Sequence, residues 1–186
     1  LLGAAQAGSA EQFKLSMRTV SGTHSLQTLD GSSLSLFNPD LSAHYAWDRY
    51  SSIGFGADLH FNLQNKNVAL FGIRAIYRLY VLGRGYPLHY ASQALWGSSL
   101  SNYALYVGTE LKRYNYFLGE NPSITTDYEQ NGIFYNINLL MGFDYRLSHT
   151  YEINTEFNFT VASLASTDNR ITMSGTLFFI GLTRFY

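Results

Sequence analysis

The stretch IGFGADLHFNL, Ile53–Leu63, decides how the chain is read. Every second residue gives Ile53, Phe55, Ala57, Leu59, Phe61 and Leu63; between them stand Gly54, Gly56, Asp58, His60 and Asn62. A period of two marks a β-strand, whose alternate side chains point to opposite faces. One face is apolar and the other is small, polar and ionisable. Which of them turns inward separates two kinds of protein.

The same alternation recurs along the chain. Phe13, Leu15, Met17 and Thr19 alternate with Lys14, Ser16 and Arg18, and Leu41, Ala43, Tyr45 and Trp47 with Ser42, His44, Ala46 and Asp48. Ala69, Phe71, Ile73, Ala75, Tyr77, Leu79 and Val81 alternate with Gly72, Arg74, Arg78 and Tyr80. Tyr103, Leu105, Val107, Thr109 and Leu111 alternate with Ala104, Tyr106, Gly108, Glu110 and Lys112. Ile133 to Tyr145 and Tyr151 to Val161 continue the pattern, and Phe178, Ile180, Leu182 and Tyr186 share a last face. These segments predict eight strands. Pro39, Pro87 and Pro122 fall outside the strand interiors, where a missing N–H would break a ladder.

The expected connections alternate in length. Short turns are predicted at Asp48–Ser51 and Ser148–Thr150, and longer loops at Gly22–Asn38, Leu118–Asn131 and Ala165–Arg170, with a tight link at Gln64–Asn67. Residues 83–101 break this rule, being long where a short turn is due. Within them PLHYASQALW is expected to form a short helix, Pro87 lying near its first turn. Residues 1–11 form a separate N-terminal segment, read as a short helical turn or lumen filler. They also resemble the tail of a signal peptide, with Ala5-Gln6-Ala7 as a small-x-small site.

Composition narrows the function. Only 13% of the 186 residues are charged, against about 25% in an ordinary soluble domain. Aromatics reach 16%, yet the mean hydropathy is only -0.07. Half of each strand facing lipid and half facing a polar interior produces this mixture. A net charge of -1 and a pI near 6.6 give no basic face for nucleic acid. With no cysteine there is no disulfide framework, thiolate zinc site or thiol nucleophile. The longest apolar run, VALFGIRAIYRLYVLG, is broken by Arg74 and Arg78 and is too short for a transmembrane helix.

Three features turn the apolar face outward. The polar face is nearly empty of lysine and rich in Gly, Asn, Ser and Thr, unlike a water-facing strand surface. Gly54, Gly56, Gly72, Gly108 and Gly142 suit a narrow, crowded interior. Tyr45, Trp47, Tyr103, Tyr145, Tyr151 and Tyr186 gather at one end of the strands as an aromatic girdle, and Phe61, Phe71, Phe134 and Tyr135 approach the other end. Finally, the last strand ends on an aromatic residue.

Eight alternating strands with TLFFIGLTRFY as the last resemble a small bacterial outer-membrane β-barrel of the OmpA/OmpX type, over residues 12–186. Phe178, Ile180, Leu182 and Tyr186 are similar to the terminal signal that barrel-assembly machinery reads, although Arg184 stands where an apolar residue is more usual. The resemblance implies an all-β, antiparallel, up-and-down transmembrane barrel in the outer membrane of a Gram-negative bacterium. It also implies a partnership with phospholipid and lipopolysaccharide. It names a fold and a membrane, not an activity.

The interior of an eight-stranded barrel is just wide enough to be filled by side chains. Arg18, Asp58, Arg74, Arg78, Glu110, Lys112, Asp144, Glu152 and Glu156 are expected there as a charge network, because an unpaired buried charge costs several kcal/mol. The first reading of function is structural or interactive, with this network fixing strand register. A narrow gated pore comes second, and a lipid-modifying or proteolytic enzyme third. A soluble, lipocalin-like carrier is the alternative fold and would require an apolar lumen.

For catalysis the sequence offers Asp58 and His60 on one face, Ser52 further along that strand, and His24-Ser25 in the first long loop. No such set has a recognisable triad order, and catalytic residues are read as none. His44 and His60 alone make no metal site, and no phosphate-binding loop or cofactor motif is present. In 83–101, Tyr86, Leu88, Tyr90, Leu95 and Trp96 are candidates for a cap on the barrel floor or for contact with a partner. Small outward residues such as Ala57, Ala69 and Ala75 would let two barrels approach closely, which makes a homo-oligomer one candidate assembly.

Overall fold

The computed structural model describes residues 13–27, 39–47, 50–61, 68–83, 102–118, 131–148, 151–165 and 172–185. At 13–14, 18–27, 61, 68–69, 117–118, 131, 165, 172–174 and 185 only the backbone course is described. The strands are β1 (Phe13–Gln27), β2 (Pro39–Ala46), β3 (Ser51–Phe61), β4 (Val68–Gly83), β5 (Tyr103–Leu118), β6 (Asn131–Arg146), β7 (Tyr151–Ala165) and β8 (Thr172–Phe185). Each pairs antiparallel with the next, and β1 pairs with β8, closing the barrel. No described residue is helical. The segments 1–11 and 84–101, with the helix expected near Pro87, lie outside the described residues.

The opening stretch answers its own question. Phe55 is 67% and Leu59 50% exposed, whereas Asp58 and His60 are each 1% exposed. The apolar face is the outer surface and the polar face fills the lumen. An alternating strand closed into a barrel has only these two destinations for its side chains.

Closure also demands room inside, and the lumen glycines provide it. His44 lies directly opposite Gly54, Tyr114 opposite Gly72, Tyr106 opposite Gly142 and Tyr116 opposite Gly132. A Cβ added at any of these glycines would run into the ring across from it. Each large ring thus lies over a neighbour that has no side chain, which lets rings pack flat against a narrow wall.

Two bulges adjust the wall. The β4–β5 register shifts between Tyr80 and Leu82, next to Gly83, which adopts φ 87°. That left-handed conformation suits glycine and lets β4 end where the chain leaves the barrel. A second shift, between Ile137 and Asn138, leaves Val161 of β7 as the extra residue.

Two expectations change. The first long loop begins later than Gly22, because β1 continues to Gln27 along β8; His24 and Ser25 pair with Gly175 and Ser174 and are strand residues. Phe134 is not on the outer face. It is fully buried, sharing the inward parity of Asn136 and Asn138, and it stacks on Tyr114 at 4.9 Å.

Candidate functional site

Among the described residues the lumen holds two main polar networks. The one nearer the 62–67 end is built by β2 to β5 with Asn158 of β7. Arg74 donates through Nη2 to Asp40 and makes a long 3.5 Å contact through Nη1 with Glu110. Lys112 Nζ lies 2.8 Å from Glu110 Oε1 and 3.0 Å from Asp58 Oδ2. Asp58 Oδ2 also meets Tyr114 OH at 3.2 Å and His60 Nε2 at 3.1 Å. Asn158 Nδ2 donates to Glu110 Oε2 at 3.0 Å.

Register explains this gathering. Arg74 is directly opposite Lys112, and Asp40 is directly opposite Asp58. Like charges so placed repel. Strand tilt brings the acidic pair diagonally against the basic pair, and each then neutralises the other. Such diagonal pairing is strong because the groups are removed from water and multiply hydrogen-bonded.

The second network lies nearer the 47–50 and 147–150 turns. Arg78 donates to Glu156 Oε2 at 2.6 Å, with its guanidinium carbon 4.5 Å above the Tyr106 ring. Tyr106 OH donates to the same carboxylate oxygen at 2.8 Å and accepts from Asn154 Nδ2 at 2.8 Å. Asn154 also donates to Asp144, whose other oxygen accepts from Tyr80 OH at 3.2 Å. Glu152 is buried at the same end. Ile76 and Leu140, on the same strand faces and between the two networks, belong to an apolar cluster with Ala46, Tyr80, Ala104 and Tyr106.

Of the residues the sequence put in the lumen, Asp58, Arg74, Glu110 and Lys112 meet in the first network; Arg78, Asp144 and Glu156 belong to the second. Arg18 stands opposite Asp40 on β1, and its side chain is outside the described residues. Asp40, Tyr80, Tyr106, Tyr114, Asn154 and Asn158 take part as well and were not singled out beforehand. Carrying the β2 alternation two residues back from Ser42 would have placed Asp40.

No catalytic arrangement emerges among the described residues. Ser52 lies opposite Ala46 and Arg78, eight positions along β3 from His60. Ser42 Oγ is 3.1 Å from His44 Nε2, a pair the sequence reading did not consider. Both are buried in the packed lumen, out of a substrate's reach. No cluster of His, Asp and Glu suited to a metal ion occurs among the described residues.

On the outer surface, Tyr45, Trp47, Tyr103, Tyr145 and Tyr151 are exposed at the end of the barrel that carries the 47–50 and 147–150 turns; Tyr50 joins them. Tyr103 stacks on Phe143 at 6.0 Å, and the Arg184 guanidinium lies 6.0 Å from the Tyr151 ring. Tyr186, Tyr86, Leu88, Tyr90, Leu95 and Trp96 lie outside the described residues. Between the two ends the described outward face is mostly Leu, Ile, Phe, Val, Met, Ala and Thr, with Tyr77 among them.

The sequence matches no protein-family model and no curated protein. Solved structures do match. Neisserial surface protein A is 15% identical, with a TM-score of 0.61, over 96% of this chain and 100% of that one. The N-terminal β-barrel domain of Pseudomonas aeruginosa OprF is 10% identical, with a TM-score of 0.57, over 97% and 100%. The outer membrane protein OprG from Pseudomonas aeruginosa is 13% identical, with a TM-score of 0.54, over 94% and 95%. The likeness is one of fold. This chain has the closed eight-stranded architecture of small outer-membrane β-barrels.

Proposed function

We propose that the protein is an integral outer-membrane barrel of a Gram-negative bacterium with a structural or interactive role, embedded in phospholipid and lipopolysaccharide after delivery by barrel-assembly machinery. The observation that carries this reading is the inversion of polarity: ion pairs are buried in the lumen while the outer surface is an apolar belt edged by Tyr and Trp. Such a surface is poorly suited to water, and a charged lumen is poorly suited to an apolar ligand, which counts against a soluble carrier. The outward small residues Ala43, Ala57 and Ala75 support a homo-oligomer. Nothing among the described residues supports lipid-modifying or proteolytic chemistry.

The polar lumen gives a narrow pore its one argument, and planar-bilayer recording separates the two readings. Arg74, Lys112, Arg78 and the rings between them are buried in the described part of the lumen, which favours a filled barrel over a water path. The purified protein is expected to be electrically silent. Steady, discrete openings would replace the structural reading with the pore.

A further inference from the structure

The described outward face carries very few charges, and one of them has no partner among the described residues. Arg113 projects outward from β5 between Ile73 of β4 and Tyr135 of β6, its Cα partners on either side. It is half-buried between them. Two residues on, Asn115 shares its face, paired with Phe71 and Ile133. Among the described residues neither Arg113 nor Asn115 makes a side-chain hydrogen bond, ion pair or ring contact. The other described arginines are engaged: Arg74 and Arg78 in the lumen networks, Arg146 with the Ser148 carbonyl and Arg184 with Tyr151.

Height in the barrel gives Arg113 its meaning. Tyr103 lies in the girdle at the short-turn end. The ten residues from Tyr103 to Arg113, at ~3.3 Å each on a strand tilted about 40°, rise roughly 25 Å along the axis, the height of the apolar band of an outer-membrane barrel. A cation on the lipid face is costly at the midplane and nearly free of cost near an interface. Arg113 therefore belongs at the second interface, its stem along Ile73 and its guanidinium at the headgroups. Short turns mark the periplasmic end of such barrels, so this interface is that of the outer leaflet.

We propose that Arg113, Asn115 and Tyr135 form a binding site for the phosphate of an outer-leaflet lipid, a phosphorylated glycolipid of the lipid A class. The guanidinium fork takes two phosphate oxygens at once. Tyr135, directly across the strand pair and exposed, and Asn115 bring a hydroxyl and an amide donor to the same patch. Apolar neighbours Phe71, Ile73 and Leu111 lie alongside, where the acyl chains run. The site rests on the outer-membrane reading given above.

Native mass spectrometry of the full chain, released from vesicles doped with bis-phosphorylated lipid A, tests it. Arg113→Gln should bind this lipid about tenfold more weakly, the loss of roughly one charge-assisted bond. Arg113→Lys should fall between, and Arg184→Gln at the opposite rim should bind as the wild type does. Equal binding by Arg113→Gln, or wild-type binding of dephosphorylated lipid A at full strength, overturns the site. Inorganic phosphate occupying it in place of the lipid would make it an ion site and overturn the lipid assignment. A wild-type protein that never enters the vesicles would sink the membrane reading itself, whereas insertion without these differences sinks only the site.

Discussion

Replacing Arg74 by Met is expected to lower the unfolding free energy in lipid vesicles by about 3–5 kcal/mol, the cost of removing one partner from a buried ion cluster. Asp40 and Glu110 lose their shared cation, and Lys112 remains with Asp58 and Glu110. All these side chains are removed from water, so water cannot take the place of the lost guanidinium at the two carboxylates. Arg74→Lys keeps the charge but loses the fork that spans Asp40 and Glu110, and should cost less than Arg74→Met. Adding Asp40→Asn to Arg74→Met should recover part of the loss, because the carboxylate that Arg74 had neutralised loses its charge. Urea unfolding of the four proteins gives the comparison. Values within about 0.5 kcal/mol of wild type for Arg74→Met would mean that the lumen is wet and the cluster unimportant to folding.

The second large effect is on the opposite face. Leu139 points outward near the middle of β6 and is 51% exposed. Surrounded by lipid, Leu139→Lys should cost about 2–4 kcal/mol. Facing water, the same exposed substitution would change stability by no more than about 0.5 kcal/mol. Leu147→Lys, exposed in the turn after β6, is the internal control and should cost about 0–1 kcal/mol in either setting. A mid-strand cost that matches the turn cost would contradict a lipid-facing wall.

How much of this was legible in the sequence follows from what parity can carry. Ile53–Leu63 shows its two faces without help, since alternation is local, and the same holds for β4 through β7. Parity alone also assigns Phe134 to the lumen. The expectation that an aromatic near a strand end belongs to a girdle overrode it, yet the lumen there needs volume above Tyr114. The end of β1 was misplaced because Gly22, His24 and Ser25 look like loop residues; β8 holds them in a strand through its own ladder.

Partners across strands are another matter. That Tyr106 covers Gly142, or that Arg74 stands beside Lys112 and reaches Asp40, depends on register. Register is set jointly by all eight strands as the barrel closes, and a single strand holds no record of it. The residue types of the lumen network could therefore be named, but not which carboxylate meets which cation. Arg113 is hidden in the sequence for a related reason. Its outward direction follows from parity, but its height, and hence its nearness to headgroups, follows from where β5 begins.

That the apolar face meets lipid is simple to test, because the sequence contains no cysteine. A single cysteine at Leu111, Leu139 or Phe157, each outward and exposed, can carry a nitroxide label without background, with Leu147 in the turn as the aqueous reference. Collision rates with oxygen, which dissolves in lipid, and with a water-soluble nickel chelate would be measured for each labelled protein in vesicles. A wall that meets lipid gives frequent oxygen collisions and rare chelate collisions at Leu111, Leu139 and Phe157, with the reverse at Leu147. Chelate collisions at the strand sites as frequent as those at Leu147 would contradict it.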